Sequence, residues 1–401
     1  MGSQSADIIA LLEGISHTSF KGDEVERLRV RAAARRLLAR VESPHERAWG
    51  FCFEQPVVFA ALQTCIDLGL WKAWTSNGGG EKTIDQLVNF TTRPEDVEPE
   101  LLRRFFRLLA AFNVVEEIGP DTFRPTPFSL AIGDESTKVR ASLEAANNQY
   151  ILAGHNLPRY LAKIGYKVPV EVVNNNHSGS DPDGLNFFGR LQASPKCYAD
   201  FTGHMETWTL WKTPWTKLHD PAKLVEGAKL DDGIPLVVDV GGNTGIDITH
   251  VLNAQPDLPA GALVLQDLPE MIAKAKAIVD PKITAMAHDF FTPQPVKGAR
   301  AYFMHAVLHD WPDEKATQLL QNTRDAMVKG YSKLFVYDIV LPPTGASISQ
   351  TTMDVNMMSL LSASERTKSQ WEKLLNGAGF RIVNFWPDPQ EYEMLIEAEV
   401  V

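Results

Sequence analysis

The chain has 401 residues, a formal net charge of −11 and 44% hydrophobic residues. That length exceeds one ordinary core and predicts two or three domains, while the acidic balance argues against nucleic acid or an anionic membrane surface as partner. Three scattered cysteines, Cys52, Cys65 and Cys197, make neither a metal motif nor a disulfide framework; with no signal-peptide layout in Met1–Asp7 and no apolar run near the roughly 20 residues that span a membrane, a cytoplasmic protein is expected.

Residues 1–45 read as one or two helices. Arginines from Arg27 to Arg40, interleaved with Leu28, Val30, Ala34 and Leu37, predict a solvated amphipathic face. From Gln55 to Trp74 the apolar spacing is helical and dense (Val57, Val58, Ala61, Leu62, Ile66, Leu68, Leu70, Trp71), which predicts a helix buried on most sides. After a loop at Gly78–Gly80, Thr83 should cap a short helix carrying Ile84, Leu87 and Val88, and a longer helix is expected over Asp96–Phe112. Val114-Val115, a turn at Gly119-Pro120-Asp121 and Phe123–Thr126 then form a small hairpin. Two helices and a hairpin make a winged-helix pattern. Its would-be recognition helix carries Glu95, Asp96, Glu98 and Glu100, which suits dimerisation better than contact with phosphates.

Residues 128–222 read as mostly helical, with a polar loop at Asn174–Gly184. Phe187, Phe188, Phe201, Met205, Trp208, Trp211 and Trp215 bunch together here. About half should be core; the rest, Met205 and Trp208 among them, could wall a pocket for a flat apolar ligand. From Leu236 the rhythm alternates. Strands are expected at Leu236–Val240, Ala262–Asp267, Ile283–Ala287, Ala301–Val307, Lys333–Val340, Arg381–Phe385 and Glu391–Ala398, and helices at Gly245–Ala254, Leu268–Ile278, Glu314–Val328 and Ser369–Ala378. That is a doubly wound sheet, whose last two strands pair as a hairpin so that one runs antiparallel.

The stretch Val237-Val-Asp-Val-Gly-Gly-Asn-Thr-Gly245 is a buried strand feeding a glycine turn at a helix N-terminus. The order Gly241-Gly242-Asn243-Thr244-Gly245 fails the dinucleotide template Gly-x-Gly-x-x-Gly, and no Lys-Ser or Lys-Thr follows as in a P-loop. Asp239 before the turn would repel a diphosphate but suits a cation; Asp267 ends the second strand, where a carboxylate accepts from ribose hydroxyls; Asp289-Phe290 ends the third, offering an acceptor and an aromatic face. Together they fit a phosphate-free, positively charged nucleoside such as S-adenosylmethionine.

With Gln266-Asp267-Leu268-Pro269, His288-Asp289-Phe290-Phe291, Val307-Leu308-His309-Asp310-Trp311, Glu365-Arg366-Thr367 and Gly377-Ala378-Gly379-Phe380 following the glycine loop in order, residues 45–401 resemble the plant and fungal small-molecule O-methyltransferases. The resemblance implies a seven-stranded Rossmann-like α/β methyltransferase domain (226–401) with its last strand antiparallel, a mainly helical winged-helix dimerisation domain (1–130) and a helical region lining the substrate pocket (131–225). It implies S-adenosylmethionine held by Asp239, Gly241, Gly242, Asn243, Asp267, Leu268, Asp289, Phe290 and His305, with His309 as general base flanked by Asp338 and Glu365. A phenolic or enolic small-molecule acceptor would meet Met205, Trp208 and the loops around Asn356, Met357, Met358 and Ser362. A homodimer is expected, with no metal: Asp310 beside His309 is a poor ion site and a better cap for the helix starting near Pro312. Three departures stand out. Asn243 replaces a usual glycine but tolerates positive φ. His305 replaces a usual Lys or Arg, though it could still donate a hydrogen bond. Asp338 replaces a longer Glu. A scaffold repurposed for a pericyclic or dehydration step is the alternative.

Overall fold

The computed structural model describes residues 2–210 and 212–401; Trp211 lies outside them. The chain divides into two units, residues 1–62 and 63–401. The first is helical throughout: Gly2–Glu13, a 3₁₀ turn at His17–Phe20, Glu24–Val41, Pro44–Trp49, a π-helical turn and the first half of Gln55–Asp67. Asp23 caps the arginine-rich helix by accepting from the Glu26 amide. As its charge pattern predicts, that helix buries nothing, and among the described residues of this unit only Ala61 and Leu62 are buried.

The second unit opens with the expected winged-helix arrangement. Strands β1 (Lys82–Thr83), β2 (Val115–Gly119) and β3 (Thr122–Pro125) form a sheet in the order β1-β3-β2 beside helices Ile84–Val88 and Pro99–Ala111. Thr83 does cap the short helix, in a reciprocal box with Gln86. Leu102, Phe106 and Leu109 bury one face of the longer helix. That helix begins at Pro99 rather than Asp96, because proline suits a first helical position. The single helix predicted over 55–74 is broken at Gly69, whose φ of 69° ends Gln55–Asp67 before Leu70–Ser76 begins. Part of the presumed loop 174–184 is a helical turn, Asn176–Ser180, capped by the Asn175 side chain.

The C-terminal part is a seven-stranded sheet. Its strands are β4 (Val237–Val240), β5 (Leu263–Asp267), β6 (Ile283–Ala287), β7 (Ala301–His305), β8 (Lys333–Asp338), β11 (Phe380–Pro387) and β12 (Met394–Val400), with the two-residue strands β9 (Val340–Leu341) and β10 (Arg366–Thr367) pairing apart from it. The order is β11-β12-β8-β7-β4-β5-β6. β4 to β8 are parallel, and β12 runs antiparallel to both β8 and β11. Side chains alternate between two cores: Val238 and Val240 enter one with Leu319, Leu334 and Trp371, while Val237 enters the other with Trp215, Leu263 and Phe303. One expected loop is a helix: Ile348–Leu361 buries Met353, Met357, Leu360 and Leu361. Because the central strands are parallel, their carboxyl ends bring the glycine loop, Asp267, Asp289, His305 and Asp338 to one edge.

Candidate active site

At this edge lies a cavity of about 420 Å³, within the range of small-molecule sites. One side is the glycine loop with Asp247, Asp267, Leu268, Asp289, Phe290 and His305; the other is Phe188, Phe201, Met205, Trp208, Phe291, Asp310 and Trp311.

The loop is built for close approach. Gly241 has φ 75°, and a side chain there would collide with Val307 while Phe290 lies against it. A side chain at Gly242 would overlap the Asp239 carboxylate and Leu265. Asn243 does sit at positive φ, 53°, and its amide donates to Asp267 Oδ2 at 2.8 Å; the Leu268 amide donates to Oδ1 at 2.7 Å. Asp267 thus locks the loop while keeping lone pairs for a ligand. Burial raises its carboxyl pKa against those hydrogen bonds. Asp239 is 1% exposed, with both oxygens unpartnered, and lies beneath the loop instead of on the cavity wall. Burial, reinforced by the Asp247 charge, pushes it well above the carboxylate range.

His309 is 5% exposed and sits on a 3₁₀ turn, Leu308–Asp310. Buried Arg366 holds that turn from below, donating to the Leu308 and Trp311 carbonyls at 2.8 Å each and to Asp313. His309 Nδ1 lies 2.8 Å from Glu365 Oε1 and 3.5 Å from Asp338 Oδ1; Nε2 lies 3.5 Å from Asp310 Oδ1. Glu365 is therefore the hydrogen-bond partner and Asp338, with its shorter side chain, the more distant charge. Burial lowers the imidazole pKa, but Glu365, Asp338 and Asp310 outweigh it and lift it to about 10. Asp338 is raised by burial to about 7 and Asp310 to about 6. The ligand atoms of His309, Asp338 and Glu365 lie within 4.8 Å of one another, so the trio could also hold a metal ion.

Several expectations need correction. Asp310 does not cap the next helix, which begins at Asp313 without a side-chain cap; it stands on the cavity wall beside His309. His309 itself lies behind that wall, its ring edge-on to Trp208 at 6.5 Å. Met205 and Trp208 do line the cavity, but Asn356 and Met357 do not, since the helix 348–361 turns Met357 into a core with Phe187 and Ile339. Of the bunched aromatics, Phe187 and Trp215 are core, while Phe188 and Phe201 are wall.

His305 differs most from expectation. Its Nδ1 lies 2.7 Å from Asp247 Oδ2, and its Nε2 lies 3.1 Å from Lys212 Nζ and 3.4 Å from Glu393 Oε2. Both ring nitrogens are thus engaged within the protein. Lys212, unremarked in the sequence because no motif surrounds it, brings a cation to where position 305 lacks one. Between the two histidines, Ala306 adopts φ 52°, ending β7 two residues earlier than expected, and its amide donates to the Tyr337 carbonyl.

A family profile described as an O-methyltransferase domain matches residues 193–381. "O-methyltransferase ATR12" of Stachybotrys chlorohalonatus is 42% identical over 400 residues, covering 100% of both chains. Among solved structures, LepI in complex with SAM superposes with a TM-score of 0.86 at 25% identity, covering 100% of both chains. Another, described as a pericyclic reaction enzyme, superposes at 0.85 with the same identity and coverage. The chain belongs to the S-adenosylmethionine-dependent O-methyltransferases.

Proposed function

We propose that the protein methylates a hydroxyl of a small phenolic or enolic secondary metabolite, with S-adenosylmethionine as methyl donor and His309 as general base. The observation that carries this reading is the His309–Glu365 pair set behind a cavity with a glycine loop on one side and aromatic rings on the other.

The residues fit the cofactor. Asp267 retains lone pairs for ribose hydroxyls, Phe290 offers a ring face near Gly241, and Asp247 on the cavity wall makes the region hospitable to positive charge. Gly242, Asn243, Leu268 and Asp289 complete the rim. When bound, the cofactor supplies an activated methyl group and a neutral leaving group. The protein must align the acceptor and take its proton. Glu365 holds the Nδ1 proton of His309 and leaves Nε2 to accept, with Asp338 adding negative charge behind it. Raising the imidazole pKa toward that of a phenol, near about 10, makes His309 a matched base, at the cost of its being protonated at neutral pH. Asp310, 3.5 Å from Nε2, and Trp208 line the cavity beside His309 and would steer the hydroxyl toward it. Residues 131–225 supply the aromatic wall and 226–401 the cofactor site. Residues 1–130 serve homodimerisation: Ile8, Ile9, Leu11, Leu12, Phe51 and Phe53 are all exposed, an apolar surface that self-association would cover.

The test is incubation with S-adenosylmethionine and a panel of aromatic polyketides, following S-adenosylhomocysteine. A methylated product from wild type, lost in His309→Ala with cofactor binding kept, is the expected result; full activity in that variant overturns the assigned base. The likeness to a pericyclic enzyme favours a second reading, in which the cofactor binds and the substrate rearranges. Isomerised product without S-adenosylhomocysteine would establish it.

A further inference from the structure

Four side chains form one group: Asp247 and His305 line the cavity beside the glycine loop, and Lys212 and Glu393 stand behind them in contact with His305. Lys212 follows the helix Pro195–Leu210, His305 ends β7, Asp247 lies in the first turn of the helix Ile246–Ala254, and Glu393 precedes β12. Their side chains are 7%, 7%, 12% and 1% exposed. Lys212 Nζ bonds Glu393 and lies 3.1 Å from His305 Nε2. Its ammonium also sits 4.2 Å from the centre of the Trp208 ring, which walls the cavity.

The Lys212–His305 contact joins two nitrogens. Such a contact is a hydrogen bond only when one nitrogen lends a lone pair, so either the amine or the imidazole is neutral. Two full cations at this distance would repel strongly in a buried site. Against the carboxylates of Asp247 and Glu393, one positive charge leaves the group one short. The surroundings do not make up the difference. None of the groups facing these four is a further cation: Asp239 and Asp338 are buried acids with raised pKa values, His204 is kept neutral by burial, and Tyr337 and Tyr392 contribute uncharged rings. Burial lowers Lys212, while Glu393 is held down to about 2 by the two nitrogen groups against the effect of its own burial.

We propose that Lys212 and His305 share one positive charge, that the floor so formed favours a cationic occupant over a neutral one, and that the pair takes up a second proton when the occupant is neutral. Resting on the cofactor reading above, this means the site holds the sulfonium donor more tightly than the thioether it becomes, which favours product release. Lys212 is a positioning residue here: it acts through His305 and Glu393.

The experiment is calorimetric titration of the full chain with S-adenosylmethionine and S-adenosylhomocysteine at pH 6.5 and 8.5, in wild type, Lys212→Met and His305→Gln. Either substitution leaves a single fixed cation, so the affinity ratio in the variants moves with pH only through the ligands' own ionisation and through the neighbouring acids Asp338 and Asp310, which wild type shares. In wild type, the preference for the sulfonium should grow by about tenfold more between the two pH values, the effect of a one-unit difference in the pair's pKa between complexes. Equal pH dependence in wild type and variants overturns the proposal. Should Lys212→Met fail to fold by circular dichroism, His305→Gln carries the comparison. Proton counts for wild type alone, from buffers of different ionisation enthalpy, decide it without any variant: equal uptake with both ligands, after allowing for their amines, overturns it. Failure of wild type to bind either ligand would instead remove the cofactor reading.

Discussion

His305 and His309 are four residues apart, both with side chains only 7% exposed, both beside carboxylates and both with raised pKa values, about 9 and about 10. Yet they are wired for different work. His305 spends one nitrogen on Asp247 and the other on Lys212 and Glu393, leaving no free valence for a ligand. His309 gives Nδ1 to Glu365 and keeps Nε2 on the side of Asp310 and the cavity wall. Residue type and burial do not separate a chemical group from an electrostatic one; the count of occupied nitrogens does.

The largest effect should come from removing the free nitrogen. His309→Ala is expected to lower kcat by about 10³-fold, the usual size of a general-base contribution, with cofactor affinity within a factor of about two. Calorimetry beside turnover checks both; a matching loss of affinity would erase the distinction between the two histidines. Next is Glu365→Gln, expected to lower kcat by about 10²-fold by loosening the tautomer and orientation of the imidazole. The same variant should also move the pH profile. In wild type, His309 must lose its second proton to act, so kcat/KM should climb with pH along a limb above the ordinary histidine value of 6.5, toward about 10. Without the Glu365 charge, that limb should move to lower pH; an unmoved limb assigns it to another group. Gly242→Ala should weaken cofactor binding by about tenfold or more, because the new methyl group overlaps Asp239 and Leu265, and should leave the His309 limb in place. The smallest effect is on stability. His309 binds its proton more tightly in the folded chain than its ordinary 6.5 allows, so this contribution is complete below about pH 6.5 and fades as pH rises through about 10. The melting temperature should therefore drop by a few degrees between pH 8 and 10, less so in Glu365→Gln.

The sheet was legible because parallel strands buried on both faces leave continuous apolar runs, and six of seven strands lie within two residues of expectation at each end. The glycine loop was legible down to Asn243 and its positive φ. The helix 348–361 was not read, although Met353, Met357 and Leu360 carry the period; the polar residues between them and its position between motifs suggested a loop. Lys212 was out of reach in a different way. It lies 93 residues from His305 and 181 from Glu393 in sequence, in no motif, and only folding joins them. Asp310 was read by local capping rules, and the 3₁₀ turn clamped by Arg366 overrode them.

Ala306 has a wider bearing. A left-handed bend at a residue with a Cβ costs on the order of 1 kcal/mol or more, tolerable for alanine and prohibitive for a β-branched side chain. Glycine would remove that cost, and valine would raise it and strain the entry to the Leu308–Asp310 turn. The one-methyl side chain is thus a ruler, stiff enough to hold the interval between His305 and His309 and small enough to allow it, and a homologue bearing a bulky residue here would need a different path to the same edge.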